Sequence, residues 1–132
     1  METNFLGLDF GQKRVGVAIA LGGILASAIE IFSNDESLFL KIGQLVEEEK
    51  INIIVVGLPI SMDGSSSPQT QKTLEFIKLL GQKFPQIKIE KQDERLSSVE
   101  ARKNLANPLF LVDAESARII LQAYLDSLNR KR

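Results

Sequence analysis

The chain has 132 residues, of which 44% are hydrophobic and 25% charged, and its formal net charge at pH 7 is −1. These values predict a single domain over residues 1–132 that is large enough for a proper core. The chain contains no cysteine and no histidine, which excludes disulfides, thiolate or imidazole catalysis, and zinc sites of the usual ligand type. No apolar stretch is long enough to span a bilayer and no signal peptide is evident, so we expect a cytoplasmic protein without membrane contacts.

The first half of the chain is dominated by strand patterns. Apolar runs predict four strands, over residues 4–10, 13–20, 27–32 and 51–58, and the last of these runs is rich in β-branched residues. The first two are joined by Gly11-Gln12, a tight hairpin turn. A helix is predicted near Glu36–Glu49, between the third and fourth strands, because its apolar residues recur at helical spacing.

The second half alternates helices with one further strand. Ser67-Pro68 begins a helix that ends before Pro85. Its inward face is predicted at Leu74, Ile77 and Leu80/Gly81. The elements that follow are a strand over residues 87–91, a helix from the capping box 97–100 to about 106, and a helix from about 113 to 128. The order predicts an α/β fold, a mixed five-stranded sheet flanked by helices on both faces.

Asp9 lies in the middle of the first apolar strand, within Phe5-Leu6-Gly7-Leu8-Asp9-Phe10. An isolated charge in a buried strand costs several kcal/mol unless a partner or a metal ion compensates it. Two interpretations are therefore open. Either the end of the strand belongs to a polar site, or Asp9 forms a structural ion pair with Lys13 or Arg14.

Two more acids fall where such a sheet brings residues together. Glu94 closes the loop after the fifth strand, and Asp113 stands at the predicted start of the last helix. Converging carboxylates suit Mg²⁺ or Mn²⁺, which are hard cations that prefer oxygen ligands. Each acid also has a simpler interpretation, since Glu94 could pair with Arg95 and Asp113 could be a helix N-cap.

Basic residues accompany these acids in the sequence. Lys13 and Arg14 follow Asp9 in the hairpin, and Arg95 follows Glu94 directly. Together they predict a phosphate-binding rim around an acidic centre. Ordinary solvated surface is the alternative interpretation of the same residues.

Four segments in order resemble the YqgF family, also called RuvX, which comprises Holliday junction resolvase-like proteins and pre-16S rRNA nucleases with a ribonuclease H-like fold. The matching segments are Leu6–Ala18, Val56–Gly64, Asp93–Ala101 and Asp113–Gln122. The resemblance covers essentially the whole chain. It implies a ribonuclease H-like sheet and a metal-dependent nuclease that acts on structured nucleic acid, either an RNA precursor or a branched DNA.

The resemblance also assigns roles to individual residues. It implies that Asp9, Glu94 and Asp113 are the catalytic and metal-binding acids, with Asp9 between the metal ions and the other two completing the coordination. One segment departs from the family pattern, because residues 107–112 are short and apolar where the family is longer and rich in Lys and Gly. Whether the protein is a monomer or a homodimer is open.

Three functions compete at this point. The first is an Mg²⁺- or Mn²⁺-dependent endonuclease, which processes the 5′ end of pre-16S rRNA or resolves Holliday junctions. The second is a fragment of a nucleotide-binding phosphotransferase of the actin and sugar-kinase type, whose phosphate loop also contains a strand, an Asp and a Gly turn. Its need for a second domain argues against it. The third is a non-catalytic nucleic-acid-binding assembly factor.

Overall fold

The architecture comes from a computed structural model that describes residues 2–61, 63–94 and 109–130, with side chains from residue 114 onward in the last range. The strands are β1 (Phe5–Phe10), β2 (Arg14–Ala20), β3 (Ser27–Ser33), β4 (Ile53–Leu58) and β5 (Lys88–Asp93). The helices are α1 (Leu38–Glu48), α2 (Pro68–Lys83) and α3 (Leu109–Arg130).

The five strands form one mixed sheet in the order β3-β2-β1-β4-β5. β1, β2 and β3 are antiparallel neighbours, whereas β4 runs parallel to β1 and β5 parallel to β4. The parallel pairs are connected through helices, as parallel strands require. The predicted topology is therefore confirmed.

Each face of the sheet carries its own apolar core. One core packs the side chains of α1 and α2 against alternate residues of the strands, including Leu6, Leu8 and Val56. The other packs α3 against the opposite face, where Val55, Ile120 and Leu121 are almost fully buried. Because successive strand residues point to opposite faces, this division shows on which face each strand residue lies.

Helix α3 lies very close to the middle of β1. A Cβ atom placed on Gly7 would come within 2.7 Å of the Leu121 Cβ and 3.2 Å of the Ala117 carbonyl oxygen. Both atoms are attached directly to the helix and cannot rotate away. Only a glycine at position 7 allows the helix to approach the sheet at this distance.

We expect Gly7→Ala to lower the free energy of unfolding by about 1–3 kcal/mol, because the added methyl group must push α3 from the sheet. Denaturant titration measures the change, with Gly81→Ala as the matched control. Gly81 lies within α2, and a Cβ atom there meets nothing within 4 Å, so that variant should be at least as stable as wild type. Equal stability of the two variants would contradict the close packing of α3 on Gly7.

Several boundaries differ from the sequence prediction. α3 begins at Leu109 rather than at Asp113, because the apolar residues 109–112 belong to the helix. β5 extends to Asp93, two residues further than predicted. The buried residues of α2 are Thr70, Thr73, Phe76 and Leu80, so the inward stripe is rotated away from Leu74. The predicted helix at 97–106 lies outside the described residues.

Across residues 2–61, 63–94 and 109–130, no helix is both long enough and apolar enough to cross a bilayer.

Candidate functional site

Asp9 is buried at the carboxyl end of β1, with 4% of its surface exposed. Leu8 belongs to the core under α1 and α2, whereas the Cβ position of Gly7 faces α3. Strand alternation therefore directs Asp9 to the α3 face, like Gly7. The carboxylate lies beneath the region where α3 begins, rather than in the larger apolar core.

Glycines flank Asp9 on both neighbouring strands. Gly16 of β2 is its direct partner in the antiparallel register. On the other side, Leu8 pairs with Val56 of β4, so Gly57 is the next residue along that register. Neither neighbour has a side chain on the α3 face, and the Cδ1 atom of Ile120 in α3 packs into the space above Gly57.

Glu94 occupies part of that space. Its backbone N–H donates to the Leu58 carbonyl oxygen at 3.2 Å, which continues the β4–β5 ladder by one residue. Its carboxyl carbon lies 3.1 Å from where a Cβ atom of Gly57 would be. Asp9 lies beside Gly57 on the β1 side of β4, so the register sets Asp9 and Glu94 on either side of Gly57 and on the same face of the sheet.

The neighbouring acid Asp93 is directed differently. It pairs with Leu58 in the parallel register, and Gln92 pairs with Gly57. Paired residues on adjacent strands share a face of the sheet, so Asp93 points to the α1 and α2 face. The sheet thus directs these two adjacent acids to opposite faces.

Asp113 lies inside α3, in its second turn, and is therefore not the helix N-cap. The helix runs antiparallel to β1, since Tyr124 contacts Phe5 and Ala117 lies over Gly7. One more turn toward the N-terminus of α3 advances about 5.4 Å, which matches the two residues from Gly7 to Asp9. The backbone of Asp113 thus runs toward Asp9, while its side chain is outside the described part.

The chemistry of the donor set suits a divalent cation. Asp9 and Glu94 carry carboxylate oxygens, the ligands that Mg²⁺ and Mn²⁺ prefer, and the strand register sets them on either side of Gly57. Among the side chains that the structure describes, no three acids form a metal-binding group. The described part of the site therefore offers two of the three predicted carboxylates, and the metal site stays a prediction.

A buried hydroxyl in α3 was not anticipated from the sequence. Ser116 is fully buried, and its Oγ has no hydrogen-bond partner among the residues that the structure describes. It precedes Ala117, one turn after Asp113. Gly57 was missed as well, although its position after a β-branched strand and its lack of a side chain could have marked it as a site of close approach.

Two of the predicted basic residues border the same end of the sheet. Lys13 is exposed in the β1–β2 turn, where Gly11 N–H donates to the Arg14 carbonyl oxygen at 3.0 Å. Arg14 begins β2 and is half-buried. It lies two residues before Gly16, so alternation places it on the same face as Asp9. Arg95 lies outside the described residues.

Arg118, by contrast, is held by its own helix. Its Nε donates to both carboxylate oxygens of Glu115 at 3.0 Å. This hydrogen bond raises the pKa of Arg118 above its ordinary value, while partial burial acts in the opposite direction. Glu115 is accordingly engaged as a partner of Arg118 on the helix surface.

Solved structures share this architecture. RuvC of Thermus thermophilus, solved in complex with a Holliday junction substrate, superposes with a TM-score of 0.59 over 97% of this chain and 96% of that one, at 9% identity. The Pelota protein of Archaeoglobus fulgidus gives a TM-score of 0.52 at 8% identity, over 99% of this chain and 36% of Pelota. These similarities establish the ribonuclease H-like fold of RuvC and no more.

Sequence comparison is more specific. The profile of the family described as "RuvX: Holliday junction resolvase" matches residues 3–127. A Sulfurihydrogenibium protein named "Putative pre-16S rRNA nuclease" is 41% identical, covering 96% of this chain and 92% of the relative. A Burkholderia thailandensis protein of the same name is 42% identical, covering 96% and 90%. The chain therefore belongs to the RuvX family.

Proposed function

We propose that the protein is a metal-dependent endonuclease that hydrolyses phosphodiester bonds of structured nucleic acid, with the 5′ end of pre-16S rRNA as its substrate. The observation that carries the proposal is the placement of Asp9 and Glu94 on either side of Gly57, in a chain of the RuvX family. The name of its relatives, pre-16S rRNA nuclease, supports the RNA substrate.

Three acids would hold the metal, which is Mg²⁺ or Mn²⁺ in this proposal. Asp9 and Glu94 are the two proposed ligands whose side chains the structure describes. Asp113 is the third proposed ligand, on the helix that runs toward Asp9. When bound, such an ion activates water and stabilises the negative charge that develops on the phosphate oxygens. The chain has no histidine, so these carboxylates, rather than an imidazole, are the groups available to orient the attacking water.

The surrounding residues position the substrate and limit access of solvent. Burial of Asp9 beneath α3 keeps its carboxylate in a low-dielectric environment, where its interaction with a cation is stronger than in water. Lys13 and Arg14, together with Arg95, would contact the phosphate backbone and fix its register over the acids. Because these contacts read no base, they are compatible with RNA or DNA.

A cleavage assay with matched substrates tests the proposal. The purified protein is incubated with a 5′-extended small-subunit rRNA precursor or with a four-way DNA junction, with Mg²⁺, with Mn²⁺ or with EDTA. We expect cleavage of the RNA that depends on the metal, and no cleavage of the junction.

Other outcomes of this cleavage assay would favour one of the competing functions. Cleavage of the junction alone would assign the resolvase activity that the family description and the RuvC structure favour. If neither substrate is cut and millimolar Mg²⁺ or Mn²⁺ produces no thermal stabilisation, the protein is a non-catalytic assembly factor.

A further inference from the structure

A cavity of about 360 Å³ lies beside the end of β1 and is lined by Phe10. Phe10 follows Asp9 directly and points to the opposite face of the sheet. We propose that this cavity holds an unpaired nucleobase of the substrate, next to the phosphate that lies over the acids. The proposal rests on the proposed nuclease function and specifies a feature of the substrate that the enzyme selects.

The cavity wall is aromatic. Phe10 stacks on Phe76 with ring centroids 4.2 Å apart and an interplanar angle of 18°. Phe39 packs against Phe76 at 5.7 Å and 39°. Phe10 and Phe39 are half-buried and line the cavity, so part of each ring is accessible from it. Nucleobases stack on such surfaces, and because every base has a π face, this contact tolerates any sequence.

The charges around the cavity favour a base over a phosphate group. Asp35 and Glu75 line it, and Lys72 is the one cation among the described residues of its lining. Asp35 accepts hydrogen bonds from the Ser37 hydroxyl at 2.6 Å and the Ser37 N–H at 2.9 Å, which lower the pKa of its carboxyl group. Two carboxylates repel a phosphate, whereas the polar edge of a neutral base can donate hydrogen bonds to them.

The cavity is tied to the predicted phosphate-binding turn. Asn34, which lines the cavity, donates from Nδ2 to the Gly11 carbonyl oxygen at 2.6 Å, and its N–H donates to the Lys13 carbonyl oxygen at 2.9 Å. Gln12 lies between Gly11 and Lys13 in the turn and also lines the cavity. A nucleic-acid strand that crosses the turn with its phosphates on Lys13 and Arg14 therefore passes the mouth of the cavity.

Only an unpaired base can use this cavity. Bases in a duplex are stacked on their neighbours with their polar edges paired, and entry into a side pocket requires a single-stranded or extruded nucleotide. The structure thus assigns a preference for substrates in which the scissile phosphate borders an unpaired nucleotide.

Binding without metal tests the inference independently of cleavage. The probe is an RNA hairpin whose single-stranded flank carries 2-aminopurine, titrated with protein in EDTA. We expect wild type to quench the 2-aminopurine and Phe39→Leu to bind about tenfold more weakly with little quenching, because leucine cannot stack on a base. Phe84→Leu is the matched control, since Phe84 packs on the same core and does not line the cavity.

A second measurement on the wild-type protein covers the case in which Phe39→Leu does not fold. Leu79 lines the cavity and is 44% exposed, so its methyl resonances should move upfield when the hairpin binds and stay unchanged with a fully paired duplex. Equal quenching by Phe39→Leu and Phe84→Leu, or unmoved Leu79 resonances, would overturn the inference. If wild type binds neither RNA and does not cleave the precursor with metal, the proposed function fails as well, whereas cleavage of the precursor without these signals refutes the cavity alone.

Discussion

Asp9→Asn should reduce the rate of metal-dependent cleavage by on the order of a thousandfold. Asparagine has nearly the same size and retains one oxygen, so the packing beneath α3 is preserved. It carries no negative charge, however, and a neutral amide at this buried position would bind a divalent cation far more weakly than a carboxylate. The loss should therefore appear in the chemical step and in metal affinity, with the fold intact.

Two measurements distinguish this result from simple unfolding. Thermal unfolding in EDTA should show that Asp9→Asn remains folded. Added Mg²⁺ should then raise the Tm of wild type but not of the variant, because a ligand stabilises only the protein that binds it.

Asp126→Asn is the matched control. It makes the same chemical change at an exposed position of α3, where Asp126 accepts a hydrogen bond from Gln122 at 3.0 Å. It should retain full activity and the full metal effect. Undiminished cleavage by Asp9→Asn would remove Asp9 from the site and, with it, the proposed mechanism.

The sequence predicted the sheet because its strands have strong local patterns. The β-branched run that became β4 is buried on both faces, and the Gly11-Gln12 turn restricts β1 and β2 to a hairpin. Asp9 was identifiable for a related reason, since a carboxylate is conspicuous only within a run that is otherwise apolar. Such signals depend on neighbouring residues in the chain and need no knowledge of tertiary contacts.

The errors in helix prediction arose where two local signals competed. Asp113 is a favourable N-cap residue, yet the apolar residues 109–112 extend α3 before it. In α2 the predicted inward face included Leu80, which is buried, and Leu74, which is only partly buried. It did not include Phe76, which is buried and stacked on Phe10 of β1. Which side of a helix is buried depends on the aromatic residue it meets across the sheet, and that partner is 66 residues away in the chain.

The sequence singled out three acids for the candidate site, which stay a prediction, but it did not indicate the architecture around them. Gly16 and Gly57 border Asp9 only because of the sheet register, and a lone glycine in a strand has many explanations. That Asp93 and Glu94 point to opposite faces likewise follows only from the pairing of β5 with β4. A shift of one residue in that register would exchange the faces to which these two acids point.

Glu94→Gln and Asp93→Asn should therefore have very different effects, although the two residues are adjacent. Glu94 lies on the α3 face with its carboxyl carbon beside Gly57, where loss of its charge removes a proposed metal ligand. We expect cleavage to fall by roughly a hundredfold or more. Asp93 pairs with Leu58 and points to the other face, so Asp93→Asn should cut within about twofold of wild type after correction for any change in the folded fraction.

Initial cleavage rates over a range of Mn²⁺ concentrations provide the comparison. Glu94→Gln should need more metal to reach its reduced maximum, whereas Asp93→Asn should follow the wild-type curve. Glutamine and asparagine each preserve the shape of the acid they replace. A difference in cleavage rate between the two variants therefore reports which face of the sheet needs the negative charge. An equal loss of cleavage rate in both variants would contradict the prediction that only Glu94 of these two acids faces the site. A loss confined to Asp93→Asn would show that Asp93, rather than Glu94, faces the site and would require the β4–β5 register to be revised by one residue.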